Sequence, residues 1–488
     1  MPEYGNTIMR KSKLIIYILV AMLTTGIVSN NADAQWWKKR KERRSARKHK
    51  HDQEVAVTDD SSPAPEPVSK KERKKDKRER KRLKRAARKQ HHKTPANDDD
   101  LQYAQTVAKP KVKKKGEVIY PPTRMKDSYR IDFLAALYLD ELEKEGKLGA
   151  NQKVPEKAFP GISFYEGLTL AADSLKKAGY NVELFVHDIT AETETPQALI
   201  ANGRLDSADL IIGAFHSQDM PLIAEYARRK QVNFISALSP ADIGIKDNPY
   251  FTMTQPSLKT HCEWIIDDVA KKYPAKNVIL LHRDATQVDE NAFNYINNYN
   301  DGYVHFKDIS LRGMPEKATL QPLLDSGEIN VLVVSIIDPG YSDSLLQVVS
   351  KEFPHTRFEV YGMPSWFVID DIHEEGVLPN LTVNVTMPFN IDHTDAVTKY
   401  VSRKFKCEYG GKASELVYRG YETMYWYTSL LKSYGTIFNL NYADIAGAPF
   451  TRYDIKLKKD KEGNVLYNEN NHIYLYKTSN EATTNKAD

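Results

Sequence analysis

Residues 208–235 read ADLIIGAFHSQDMPLIAEYARRKQVNFI. After its first residue the run Asp209-Leu210-Ile211-Ile212-Gly213 is continuously apolar, a helix is predicted across Pro221 to Arg229, and Val232 to Ile235 is apolar again. A strand that does not alternate polar and apolar residues is buried on both faces, and strands joined through a helix run parallel. This stretch therefore places the body of the chain in the α/β class.

The same alternation extends outward in both directions. Upstream, Tyr129 to Leu139 is an apolar run of β character, and Val182 to Val186 is a second strand. Between them Phe164, Leu168, Ala171 and Leu175 recur at helical steps, and Gly179 is placed to end that helix. Thr195-Pro196 opens another helix, with Thr as N-cap and Pro in the first turn. Downstream the pattern restarts. Asn277 to Leu281, Val304 to Ile309, Asn330 to Ile336 and Arg357 to Gly362 read as strands, with helices around 289–299, 316–325 and 342–353. Two successive parallel sheets predict two lobes. The segment NPYFTMTQPS (248–257) separates the two sets, Leu381 to Pro388 follows the second, and a helical tail starts near Asp395 with an amphipathic stretch from Ser414 to Tyr434.

Charge is unevenly spread along the 488 residues. Residues 36–115 carry 29 Lys/Arg against 12 Asp/Glu, whereas the chain beyond 115 carries 38 against 51. A net of +5 thus conceals a cationic arm near +17 and an anionic body near −13. Residues 1–34 read as a cleavable secretory signal: Arg10, Lys11 and Lys13, an apolar stretch from Leu14 to Val28, then Ala32-Asp33-Ala34. That stretch is about 15 residues, short of the roughly 20 that span a bilayer. Export to the periplasm or cell envelope is therefore expected. Residues 35–116 form a basic low-complexity arm, with hardly an apolar side chain from Lys70 to Lys93, and the arm is expected to be disordered. The body is expected over 117–480, with lobe 1 at about 129–250 plus 389–440, lobe 2 at about 258–380 plus part of the tail, and a disordered end at 481–488.

Behind a signal peptide the basic runs argue against nucleic acid. They suit either a solvated tether or attachment to an anionic envelope polymer. The two cysteines, Cys262 and Cys407, are too few for a disulfide framework and are expected to be buried free thiols in different lobes. Neither CxxC nor zinc-type spacing is present, so no metal or other cofactor is implied. The sequence also lacks a GxSxG elbow, a P-loop, HExxH and a post-strand GxGxxG, which argues against an enzyme.

The body, over roughly 129–478, resembles the branched-chain-amino-acid-type extracellular ligand-binding receptors of the type I periplasmic-binding fold. The motifs that carry the likeness are GLTLAADSL (167–175) for the first helix, ADLIIGAFHS (208–217) and VNFISALSP (232–240) for two strand-and-loop units, and NPYFTMTQPS for the first crossover. Tyr421-Glu422-Thr423-Met424-Tyr425 is similar to the family's late helix, and KKDKEGNVLYNENNHIYLYK (458–477), turning at Gly463-Asn464, is similar to its closing hairpin. There are departures. ALYLDELEKEGKLGANQKVPEKAFPG (136–161) stands where the family has a short ligand-facing loop, and Asp284 to Asp289 lack the family's D-x-x-Y-G phrase.

In open parallel sheets ligands bind beyond the carboxyl ends of the strands. The first-lobe candidates are accordingly Phe215, His216 and Ser217 after one strand, and Ser236, Ala237 and Ser239 after the next. The second-lobe candidates are Asp284, Tyr341, Ser365 and Trp366. Tyr421 and Glu422 join them from the late helix. Hydroxyls with helix N-terminal amides suit a carboxylate, Asp284 or Glu422 an ammonium, and Phe215 or Trp366 an apolar side chain. The plainer readings stand beside these: Ser217 as a helix cap, Ser236 and Ser239 as turn residues, Trp366 as core, Tyr421 and Glu422 as helix residues facing the lobe interface. The resemblance implies capture of a small polar, amino-acid-like ligand for an inner-membrane permease of the ABC type. It equally admits a ligand-free interaction module in envelope or peptidoglycan synthesis, tethered by the basic arm.

Overall fold

Runs of Val, Ile and Leu form the central strands of two separate sheets. The computed structural model of the chain describes residues 118–144, 154–215, 219–240, 244–274, 277–325, 327–444 and 448–478. The signal, the arm and the C-terminal end of the sequence reading fall outside these residues.

In chain order the first set is β1 (Tyr129–Ala135), α1 (Leu139–Lys144), α2 (Phe159–Lys177), β2 (Val182–Asp188), α3 (Pro196–Ala201), β3 (Leu210–Ala214), α4 (Met220–Lys230), β4 (Asn233–Ser236) and β5 (Phe251–Met253). The second set is α5 (Leu258–Lys272), β6 (Asn277–His282), α6 (Gln287–Tyr299), β7 (His305–Ser310), α7 (Lys317–Leu320), β8 (Ile329–Val334), α8 (Pro339–Glu352), β9 (Arg357–Gly362) and β10 (Leu381–Met387). The tail supplies α9 (Ala396–Tyr409), α10 (Glu415–Tyr434), β11 (Ile455–Lys459), β12 (Val465–Asn470) and β13 (Tyr474–Lys477).

The strands assemble into a seven-stranded sheet, β11-β12-β5-β4-β3-β1-β2, and a six-stranded sheet, β13-β10-β9-β8-β6-β7. Apart from the antiparallel pairs β11–β12 and β10–β13, the strand pairs are parallel. β1 lies between β2 and β3, with Phe133 opposite both Val186 and Ile212. Each sheet has its own core. Ile131, Phe133 and Ala135 of β1 pack with Phe164 and Leu168 of α2 and with Val417 and Met424 of α10. Leu134 faces the opposite side, toward Ile223 and Ala227 of α4. Val331 and Val333 pack in the second core with Cys262, Ile265 and Ile266 of α5.

The chain crosses between the sheets three times: from β5 to α5, from β10 to α9, and from β12 to β13. The first crossing is fastened to the third by Glu469 of β12. Its buried carboxylate accepts hydrogen bonds from Ser257 N (2.9 Å), Ser257 Oγ (2.8 Å) and Thr260 Oγ1 (2.5 Å) at the start of α5.

Local signals placed the helix ends well. Thr195 Oγ1 accepts from Ala198 N with Pro196 in the first turn, and Gly179 (φ 82°) closes α2 through a bond from its N–H to Lys176 O. Three expectations need correction. β1 stops at Ala135, four residues short of Leu139, because the chain turns there over Asp188 and Tyr138 takes φ 55°. The helix expected at 316–325 shrinks to α7 and a 3-10 turn at Gln321–Leu323, where Pro322 brings no N–H to continue it. Cys262 is buried, but Cys407 is exposed on the outer side of α9; both thiols are free.

α2 and α10 cross with their backbones in contact. A Cβ on Gly420 would lie 2.1 Å from Phe164 O, and one on Gly167 would lie 2.0 Å from Val417 O. In an exposed helix Gly→Ala gains about 1 kcal/mol. Here the sign reverses, because neither backbone can yield. Gly420→Ala is expected to destabilise the protein by about 1–3 kcal/mol, read as a lower urea midpoint at unchanged slope. Gly411→Ala, whose added Cβ would sit 3.8 Å from Phe405, should leave the midpoint nearly unmoved.

Candidate functional site

The exits of β3 and β4 carry the first-lobe candidates. Phe215 is buried between the sheet and α4; His216 and Ser217 lie outside the described residues. Ser236 is fully buried, its Oγ directed at Met220 Sδ (3.4 Å) inside the lobe. Ala237 and Ser239 are buried as well. The carbonyls of this exit are occupied: Ser236 O accepts from Thr254 N and Oγ1, Leu238 O from Gln255 Nε2, and Ala237 O from Arg419 Nη2.

The loop after β1 is also filled from within. Asp188, at the end of β2, accepts from the amides of Leu137 (3.0 Å), Tyr138 (3.3 Å) and Leu139 (2.8 Å), and from Thr190 N (3.1 Å) and Oγ1 (2.6 Å). Amides that would otherwise face an incoming anion are held by the protein's own carboxylate.

In the second lobe Trp366 is 0% exposed, lies over Gly362 and donates its Nε1–H to Ile336 O (2.7 Å). Ser365 Oγ donates to Ile337 O. The two residues thereby fix the turn leading into α8. Tyr341, on α8, donates to Gly313 O (2.6 Å) while its ring lies under the Arg283 guanidinium, 4.3 Å away. Arg283 is paired with Asp289 (3.0 Å) and Asp338 (3.3 Å). Asp284, at the exit of β6, keeps 71% of its side chain exposed, 3.7 Å from His282 Nδ1.

On α10, Tyr421 is buried, its ring centroid 5.9 Å from that of Tyr425 and 6.0 Å from that of Phe450. Glu422, 1% exposed, accepts from Phe450 N (2.8 Å), Thr451 N (2.6 Å), Thr451 Oγ1 (2.7 Å) and Tyr453 OH (3.1 Å). Burial raises its pKa while these four bonds pull it back down. The carboxylate thus anchors the segment leading into β11.

The structure therefore gathers Ser236, Ala237 and Ser239 at one exit, and Tyr341, Ser365 and Trp366 around another, while Tyr421 and Glu422 pack within lobe 1. It adds one residue that the sequence reading did not select. Arg419 is half-buried one turn before Glu422, bonded to Ala237 O and placed over the Phe389 ring with 4.9 Å from guanidinium carbon to centroid. Burial lowers its pKa, and Glu415, Tyr453 and Glu422 oppose that shift. A signal for it was present: Arg419 is the sole cation between Leu416 and Leu431, a stretch rich in apolar and aromatic residues. Among the described residues no group of three or more His, Cys, Asp and Glu is placed to hold a metal ion, and no helix is long and apolar enough to cross a membrane.

Two sheets of this strand order, joined by three crossings, define the type I periplasmic-binding fold. The chain matches a protein assigned as a branched-chain amino acid ABC transporter from Rhodospirillum rubrum at 11% identity and a TM-score of 0.53, covering 71% of this chain and 96% of that one. Other similar structures are an ABC transporter substrate-binding protein from Desulfitobacterium hafniense in complex with Leu (16% identity, TM-score 0.45, 72% and 98% covered) and full-length LpoA from Haemophilus influenzae (11%, 0.46, 73% and 58%). No family model matches the chain, and no curated protein matches it.

Two buried carboxylates give measurable expectations. Asn in place of Asp188 has one carbonyl oxygen to offer five donors, so Asp188→Asn should cost about 2–3 kcal/mol in equilibrium unfolding. Glu166 of α2 is buried, and desolvation pushes its pKa from 4.5 up to about 8. The folded state then holds a proton that the unfolded state has released between these two values. Stability should fall as pH rises through that window, by up to about 1.4 kcal/mol per pH unit. Glu166→Gln should flatten this slope in urea titrations from pH 5 to 9, matching the parent near pH 5 and exceeding it at pH 8.5.

Proposed function

We propose that this protein is an exported, non-enzymatic solute-binding protein that closes its two lobes on a small polar, amino-acid-like ligand and presents it to an inner-membrane permease of the ABC type. The observation that carries this reading is the architecture itself. Two separately cored parallel sheets are joined only by three short crossings, so the lobes can rotate about those crossings without breaking either core. The strand exits offer polar groups for a ligand, with Asp284 exposed in the second lobe and Arg419 at the first-lobe exit.

Two observations favour the second reading, a ligand-free interaction module of the cell envelope. The amides after β1 are already held by Asp188, and Ser236 points inward. On that reading the cationic arm attaches the body to an anionic envelope polymer.

Thermal denaturation of the mature chain with amino acids, short peptides and muropeptides distinguishes the two. The solute-binding reading expects a saturable rise in melting temperature with one ligand class, since a ligand at 100 times its Kd adds about 2.7 kcal/mol. A flat response to every compound, together with retention on isolated envelope material that disappears when residues 36–115 are deleted, would establish the second reading instead.

A further inference from the structure

We infer that the outer face of α9, extended by the end of α2, docks the body on an anionic phospholipid surface. The inference goes beyond the solute-binding reading and applies equally to a ligand-free module, because it concerns where the body rests rather than what the lobes enclose.

The two sides of α9 differ sharply. Thr398, Val401 and Phe405 are buried against the lobe. Lys399, Arg403 and Lys406 follow one another at steps of four and three residues, so they form one row along the helix, and all three are exposed. Their side chains make no hydrogen bond or ion pair among the described residues. Beside the row Val397 and Tyr400 are each 36% exposed, and Cys407 is exposed as well. The carboxylates nearest in sequence are engaged elsewhere. Asp395 caps the helix, accepting from Val397 N (2.8 Å) and Thr398 N (3.0 Å). Asp392 accepts from Thr394 N and Oγ1, and Glu408 lies 3.0 Å from Lys404.

The neighbouring helix adds to this charge. Lys404 Nζ lies 3.0 Å from Asp173 Oδ2, Tyr400 OH 3.4 Å from Ser174 Oγ, and Tyr409 OH 2.9 Å from Thr169 Oγ1. These contacts ascend α9 while they descend α2, so the two helices run antiparallel. The end of α2 therefore lies beside the start of α9, and its Lys176 and Lys177 are exposed and equally without partners among the described residues. Five unpaired cations thus gather on one helix pair of a body whose net charge is near −13. Such a cluster attracts an external anion. The row from Lys399 to Lys406 is about 10 Å long at 1.5 Å per residue, which suits a surface that repeats its charge better than one small anion. Tyrosine and valine exposed among lysine and arginine are the composition of a face that lies in a headgroup layer, with the ring at the interface and the cations on phosphates. An acidic polysaccharide would meet the cations but offers no apolar layer to Val397 and Tyr400.

Cys407 is a reporter within the face itself, since Cys262 is buried. The test uses the mature full-length protein, follows alkylation of Cys407 by a neutral maleimide, and reads vesicle binding separately by sedimentation. Vesicles of about one-third phosphatidylglycerol in phosphatidylcholine should slow the alkylation at least about fivefold, and about 0.5 M salt should restore the free rate. Pure phosphatidylcholine should leave it unchanged. Arg403→Gln should raise the lipid concentration that gives half-protection about fivefold. Combining it with Lys399→Gln and Lys406→Gln should abolish protection even where the cationic arm still carries the protein to the vesicles. Circular dichroism and melting temperature confirm the fold of each variant, and if the triple variant does not fold, Arg403→Gln decides. Unchanged Cys407 reactivity in protein that sediments with anionic vesicles overturns the inference and leaves attachment to the arm. Full protection in the folded triple variant, protection by soluble poly-L-glutamate but not by vesicles, or a failure to sediment overturns it too. None of these outcomes bears on whether the lobes bind a solute.

Discussion

The crossing of α2 and α10 is the contact on which the rest of the molecule depends. Gly167 and Gly420 let the two backbones meet, with Val417 O and Phe164 O occupying the space that side chains would need. The chain reaches α10 only after leaving the first lobe, building the second sheet and returning. The glycine contact therefore closes lobe 1 from segments some two hundred and fifty residues apart. Everything after α10 is positioned by that return. Glu422 holds the segment into β11, β12 joins the edge of the first sheet, and β13 crosses to the second.

The chain crosses between the two sheets three times. Glu469 makes the crossings interdependent by tying the end of the β11–β12 hairpin to the start of α5. Buried carboxylates recur in this role: Asp188 organises the loop after β1, Glu422 the segment at 450–453, and Glu469 the crossing. In each case a charge removed from water is compensated by several donors at once, which is the condition under which a buried carboxylate stabilises a single geometry.

Much of the fold was legible because its signals are local. The run from Leu210 to Gly213 could not be half-solvated, and Thr195-Pro196 could only begin a helix. β1 was read too long for an equally physical reason: Leu137 and Leu139 are apolar and buried, but their amides bond to Asp188 about fifty residues later in sequence. The candidate site was less legible. Trp366 and Glu422 have residue types common in ligand pockets, yet one fills the second core and the other fastens a loop. Which atoms a side chain meets depends on partners that spacing does not reveal.

The sequence by itself determined the α/β class, the two successive parallel sheets, the breaks at 248–257 and 381–388, and the division into a cationic arm and an anionic body. These follow from hydrophobic periodicity, turn chemistry and charge, which are properties of neighbouring residues. Only the tertiary structure decided which polar groups are spent and which are left over. Asp188, Glu422 and Glu469 are saturated by distant donors, whereas Arg419 is brought beside the Ala237 carbonyl and the Phe389 ring by the helix crossing. Hydrogen-bond satisfaction is a property of the assembled neighbourhood, so it becomes readable only once the chain has folded back on itself.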